Sequence, residues 1–260
     1  MSSSANVVLE TRGLSKEFRG FTAVDSVNLR VQEGHIHALI GPNGAGKTTV
    51  FNLLTKFLAP TRGEILYLGK PITRLQPNEI ARLGLVRSFQ ISAVFGHMTV
   101  LENVRVALQR KLSNSLHFWK SERSLDGLNE QALQMLDDVG LLDYAHTLTI
   151  ELPYGRKRAL ELATTLALEP KVLLLDEPTQ GMGHEDVNMV IELVRKAAVG
   201  RTVLMVEHNL GVVSELCDRI TVLARGAVLA EGDYASVSAD AQVREAYLGS
   251  EAASHEEAHA

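Results

Sequence analysis

The residues Gly41, Pro42, Asn43, Gly44, Ala45, Gly46, Lys47 and Thr48 fit the pattern G-x-x-x-x-G-K-[ST], between an apolar run, "HIHALIG", and a segment of helical spacing. That order constrains the fold more than any other feature: a buried strand must run into a turn of small residues and leave as a helix. Consecutive backbone N–H groups in such a turn wrap an anion, which needs glycine where a side chain would block the approach. The helix N-terminus adds about half a positive charge, and Lys47 is placed to reach the β and γ phosphates of a nucleotide. The Thr48 hydroxyl suits one position around Mg²⁺, which leaves Thr49 as a phosphate contact.

The remaining chain reads as α/β. "KVLLLDE" and "TVLMVEH" are further buried strands, each followed by a helix candidate, as a parallel sheet requires. After the phosphate turn, Val50, Leu53, Leu54, Phe57 and Leu58 predict a helix that runs until Pro60 stops it. Val187, Val190, Ile191 and Val194 mark another helix face, with Glu185 and Asp186 at its start, Arg195 and Lys196 at its end and Gly200 beyond. "RITVLARGAVLAEGD" alternates around Arg225 and Gly226 like a hairpin. Residues 91–168 carry helical spacing without a strong strand and read as a helical lobe inserted between 1–90 and 169–248. The acidic tail 249–260 reads as disordered. No 20- to 50-residue period repeats, so solenoids and propellers are excluded.

A carboxylate pair closes the second strand. Asp176 suits a Mg²⁺ shell and Glu177 suits the water that attacks the γ phosphorus, unless the two are only a solvated strand exit. His208, after the next strand, either bonds the γ phosphate or is structural. Gln90, closing "LGLVRSFQ", either offers its amide oxygen to Mg²⁺ and water or is a surface residue.

Charge and composition narrow the classes further. The formal net charge is −5, and three of those units are Glu251, Glu256 and Glu257 in the tail. A near-neutral body lacks the clustered Lys and Arg of a nucleic-acid grip, so no nucleic-acid partner is expected. Cys217 is the single cysteine, which rules out an intrachain disulfide and reads as a small buried hydrophobe. The segment Met1 to Asn6 is polar, without the pattern of a signal peptide, and no run approaches the roughly 20 apolar residues that span a bilayer. Contact with a membrane is expected only through another protein.

The motif order "GPNGAGKTT", "FQ", "LPYGRKRALELA", "LLLDEPTQGMG", "EH" resembles the ABC transporter ATPases over residues 7 to 248. The resemblance implies a P-loop NTPase cassette with a mostly parallel core sheet, an antiparallel β subdomain and the inserted helical lobe. It implies ATP and Mg²⁺, with Glu177 as catalytic carboxylate, His208 as switch histidine and Gln90 as the Q-loop glutamine. Phe18 in "LSKEF" matches the aromatic that stacks on adenine, its alternative being a core strand residue. Leu152, Pro153, Tyr154, Gly155 and Arg156 stand at the signature segment, which caps ATP bound to a second ATPase subunit.

Two departures are visible. Pro153 has neither the hydroxyl nor the N–H of the usual signature serine. Arg156, Lys157 and Arg158 then open the next helix at the positive end of its dipole, where cations are unfavourable by about 0.3 to 1 kcal/mol each, so an anion should offset them. Either Arg156 faces the partner's ATP in place of the serine, or it is a solvated or salt-bridged cation. Gly183 replaces a usual D-loop aspartate, which leaves cross-talk between two ATP sites to backbone contacts. "LPYGRKRALELA", "VFGHMTVLENV" and "EPTQGMG" resemble branched-chain amino-acid importer ATPases, and importers of urea, amides and aromatic acids share much of the pattern. The resemblance implies permease partners, a homo- or heterodimeric ATPase pair and, indirectly, a periplasmic or extracytoplasmic solute-binding protein. It places the chain peripherally on the cytoplasmic face of the inner membrane. Val94, Phe95, Met98, Val100 and Leu101 either line the groove that receives the permease or belong to the lobe core. DNA-repair ATPases of the superfamily separate the cradle and the signature by long coiled coils, whereas only about 105 residues lie between Lys47 and Leu152. A single cradle and signature also counts against a two-cassette translation factor.

Overall fold

Alternation of side chains decides how the strands stack. The computed structural model describes residues 6–88, 94–109 and 127–247. β1 (Val7–Phe18) and β2 (Phe21–Val27) form an antiparallel hairpin, β3 (Arg30–Gln32) also pairs with β1, and β4 (Ile36–Ile40) leads into α1 (Lys47–Leu54). β5 (Arg62–Tyr67) and β6 (Lys70–Pro71) follow, then α2 (Pro77–Leu83) and β7 (Leu85–Ser88). The middle of the chain holds α3 (Val100–Leu108), α4 (Asn129–Asp138) and α5 (Tyr154–Leu166), with single 3₁₀ turns at Leu142–Tyr144 and Thr149–Glu151. β8 (Val172–Asp176), α6 (His184–Ala198), β9 (Thr202–Val206) and α7 (Leu210–Leu216) alternate after it. The hairpin of β10 (Arg219–Ala224) and β11 (Ala227–Gly232), α8 (Tyr234–Ala239) and a helical stretch over 241–247 close the described chain.

The larger sheet has the order β11-β10-β4-β9-β8-β7, parallel at every pairing except β10 with β11. The smaller sheet, β2-β1-β5-β6 with β3 beside β1, is antiparallel. This is the expected α/β class with a mostly parallel sheet and an antiparallel companion. β4, β8 and β9 are buried along their whole length, and successive residues feed two cores. Ala38, Ile40, Leu173, Leu175, Val203 and Met205 face the helices α3 to α7. Leu39, Leu174, Leu204 and Val206 face the other way, onto α1 and the antiparallel sheet.

Two helix ends differ from the sequence expectation. α1 stops at Leu54, because Lys56 takes a left-handed backbone (φ 63), and Phe57 is 54% exposed. The apolar spacing that suggested a helix up to Pro60 therefore overshoots. α5 opens at Tyr154, with Pro153 as its cap, so only Arg156 of the three cations lies in the first turn. α6 has the predicted acidic start and basic end, and the predicted hairpin turns at Arg225 (φ 48) and Gly226 (φ 82). Gln90 and the tail 249–260 lie outside the described residues. No helix among the described residues is long and apolar enough to cross a membrane.

Candidate active site

Register brings the key strand ends level. Leu39 of β4 and Asp176 of β8 both pair with Val206 of β9, so the loops after these three strands leave the sheet at one edge. Ligands in open α/β sheets lie at this carboxyl edge. The phosphate turn occupies the β4 position. Gly41 has φ 148, and a Cβ on it would lie 2.1 Å from the Leu223 carbonyl oxygen, so no other residue fits there. α1 has neither an acidic residue in its first turn nor a side-chain cap, which leaves its first N–H groups for an anion. Thr48 is exposed, Thr49 half-buried, and Pro42, Asn43, Gly44, Ala45 and Gly46 complete the turn.

Lys47 is 8% exposed, and its Nζ donates to the carbonyls of Gly41 (2.7 Å) and Pro42 (3.0 Å). Burial lowers its pKa, while the carboxylates of Glu177 and Asp176 act in the opposite sense. The ammonium therefore lies within electrostatic reach of both acids.

Asp176 is 3% exposed and accepts a hydrogen bond from the Arg87 guanidinium of β7. Sequence reasoning passed over Arg87, whose only signal was a cation directly after the apolar Leu85 and Val86 of β7. Glu177 takes a left-handed backbone (φ 46), a conformation that costs a non-glycine residue about 1 to 3 kcal/mol and collects at functional sites. Its amide donates to the Val206 carbonyl (2.9 Å), which ties it to β9.

Glu207 is a second residue that the sequence reading missed. It is fully buried, and Oε1 accepts from the Thr179 amide (3.2 Å) and hydroxyl while Oε2 accepts from the amides of His208 (2.9 Å) and Asn209 (3.0 Å). One carboxylate thereby joins the loop after β8 to the loop after β9. His208 itself projects outward with a side chain 56% exposed, its Nδ1 3.9 Å from Glu207 Oε2.

Phe18 ends β1 and is 41% exposed, so the core alternative does not hold. It pairs across the hairpin with Phe21, 66% exposed, and the Lys16 ammonium lies 5.1 Å from its ring centre. At the signature segment Leu152 is buried, Pro153 is exposed and caps α5, and the Tyr154 hydroxyl donates to the Gln180 carbonyl (3.3 Å). A Cβ on Gly155 would meet Asp186 Oδ1 at 2.8 Å, so the start of α6 presses a carboxylate against the first turn of α5. One carboxylate of the chain therefore lies beside the helix end at which an anion was expected. Arg156 stacks over the Tyr144 ring (4.1 Å), Lys157 donates to the Ile150 carbonyl (3.0 Å) and Arg158 pairs with Glu161 (2.8 Å). Of the groove candidates, Val100 and Leu101 are core and Val94 is partly buried, whereas Phe95 and Met98 are exposed. Tyr247 packs under the turn, and burial pushes its hydroxyl pKa up to about 12, with the Gly41 amide facing it.

The family model described as "ABC transporter" matches residues 24–180, and one described as "Branched-chain amino acid ATP-binding cassette transporter" matches 227–253. The chain is 39% identical to the high-affinity branched-chain amino acid transport ATP-binding protein BraF of Pseudomonas aeruginosa, covering 93% of this chain and 98% of BraF. It is 37% identical to LivG of Escherichia coli K12, a protein of the same description, with 93% and 98% covered. Among solved structures, the ADP conformation of MJ1267, an ATP-binding cassette of an ABC transporter, superposes with a TM-score of 0.80 at 30% identity, covering 94% of this chain and 99% of that one.

Proposed function

Because the chain belongs to the ABC transporter family of ATP-binding cassettes, we infer that it is the ATP-hydrolysing subunit of an importer for branched-chain amino acids. The observation that carries the chemistry is the convergence of Lys47 with Asp176 and Glu177 on one sheet edge. The phosphates lie in the turn from Gly41 to Thr49, and Lys47 leaves its two loop carbonyls for the β and γ phosphates. Phe18 offers an exposed ring to the adenine face.

Thr48 and Asp176 offer the hard oxygen donors that Mg²⁺ prefers, and the guanidinium resting on Asp176 marks a carboxylate that needs a cation. Held by Thr48 and Asp176, Mg²⁺ would supply positive charge against the charge that develops on the phosphates. Gln90, by resemblance, joins that set. Glu177 takes the proton of the attacking water, in line with the leaving oxygen. His208 points out from the same edge to bond the γ phosphate.

The segment from Leu152 to Arg156 caps ATP held by a second ATPase subunit, so closure of the pair depends on contacts made only in the closed state. Loss of the γ phosphate reopens it. Arg156, stacked on Tyr144 here, would leave that ring to approach the partner's nucleotide. The motion is passed to permease subunits, which hold this chain at the cytoplasmic face of the inner membrane and receive solute from an extracytoplasmic binding protein. Exposed Phe95 and Met98, with Leu148 and Ile150 beside them, form the apolar face suited to the permease.

Glu177→Gln tests this reading. Turnover should fall about 10²- to 10⁴-fold, the usual worth of a positioned base, while size-exclusion chromatography shows a dimer in Mg-ATP. Undiminished turnover removes Glu177 from its role, and a parent chain that hydrolyses no ATP overturns the whole account.

A further inference from the structure

The Arg87–Asp176 pair joins three parts of the site that the motifs treat as separate. Arg87 stands on β7 opposite Leu174 of β8, and its side chain is 9% exposed beside an Asp176 side chain 2% exposed. One arm of the guanidinium, Nη2, holds Asp176 Oδ2. The other, Nη1, donates to Asn52 Oδ1 of α1 at 2.7 Å, and the guanidinium lies 5.7 Å from the ring centre of Phe51 in the same helix. Nε is buried and has no hydrogen-bond partner among the described residues.

A buried ion pair kept only for stability is weak design, because apolar residues of the same volume do as well. An orphaned buried N–H makes this pair poorer still. What the arrangement does supply is a positive charge beside the carboxylate that the metal needs. Asp176 Oδ2 cannot serve the guanidinium and a Mg²⁺ shell at once, and the guanidinium's charge opposes a cation at the second oxygen.

We propose that Arg87 is the positioning residue that occupies Asp176 when Mg²⁺ is absent, and that the metal must displace this guanidinium to use the carboxylate. The inference rests on the ATPase reading and adds an internal competitor for the metal. Displacement frees the arm that faces Asp176 while Nη1 stays on Asn52, so metal arrival is reported to α1, the helix that opens at the phosphates, and to β7, which leads toward Gln90.

The test is a Mg²⁺ titration of the metal-stripped chain saturated with trinitrophenyl-ATP, followed by nucleotide fluorescence. Arg87→Met should lower the Mg²⁺ midpoint about tenfold, a coupling of ordinary size between linked sites, and Arg87→Lys should lower it less. In an Asp176→Asn background, Arg87→Met should leave the midpoint where it was. An unmoved or raised midpoint in Arg87→Met, or the same fall without the Asp176 carboxylate, overturns the proposal. Should Arg87→Met fail to fold, the guanidinium NMR signal of Arg87 in the parent chain decides. With ADP bound it should shift on adding Mg²⁺, and a signal indifferent to the metal rejects the competition. A parent chain that binds no trinitrophenyl-ATP would instead sink the ATPase reading itself.

Discussion

His37 shows how one residue beneath the phosphate turn sets a condition on the whole domain. It sits on β4, fully buried, with Nε2 2.8 Å from the Thr221 hydroxyl of β10. Burial first, and then the charges of Arg219 and His35, lower its pKa from 6.5 to about 3. In the unfolded chain the ring takes a proton near pH 6.5, and in the folded chain it stays neutral. Its contribution to stability is therefore complete above pH 6.5 and is lost as pH falls toward about 3. The slope approaches about 1.4 kcal/mol per pH unit inside that window, so on the order of 1 to 2 kcal/mol should vanish between pH 6.5 and 5. Urea midpoints for the parent and His37→Gln at both pH values check this. Parallel pH dependence in the two chains would exclude His37 as the cause.

At the scale of elements, the site is held by cross-links between loops as much as by the strands that carry them. Glu207 gathers donors from Thr179, His208 and Asn209, so the segment that follows Glu177 and the one bearing His208 are tied to each other. Glu207→Gln turns an amide NH₂ toward some of these N–H donors and leaves them without an acceptor. Stability should fall by about 1 to 3 kcal/mol, the cost of unsatisfied buried polar groups, and turnover should fall as well, because His208 loses its anchor. A variant with the parent's melting temperature and kcat would show that the clamp is dispensable. Gly155 plays the matching role between α5 and α6, where the close approach of Asp186 leaves no room for a side chain.

At the scale of the molecule, the helical middle and the parallel sheet share one apolar core, in which Val100, Val104, Leu136 and Leu160 join Leu173 and Val203. A push on the outer surface of the helices is therefore transmitted to the strands of the site through packed side chains. The outer surface near residue 95 presents exposed apolar side chains. Asn103, 3% exposed, holds the Phe95 amide and carbonyl and reaches Thr149, which fixes Phe95 and Met98 beside Leu148 and Ile150. Phe95→Ser with Ile150→Ser should leave trinitrophenyl-ATP affinity intact and abolish co-purification of permease from membranes. Retention of permease by that double variant would place the docking face elsewhere.

The phosphate turn, the carboxylates at the end of β8, the fully buried strands and the end charges of α6 were legible in the residues themselves, because each depends on local geometry or on spacing along one element. The start of α5, the end of α1 and the partners of Arg156, Lys157 and Arg158 were not. They depend on what packs against them: Asp186 from α6, the ring of Tyr144 and the backbone turn at Lys56. Arg87 and Glu207 were hidden for the same reason, since a charge within a strand or beside a motif says nothing of its partner until the sheet sets their distance. The sequence alone determined which chemistry the chain can perform, through groups whose roles follow from their neighbours in the chain. Only the tertiary structure decided how those groups are held and what competes for them, because buried charges are governed by contacts between residues far apart in sequence.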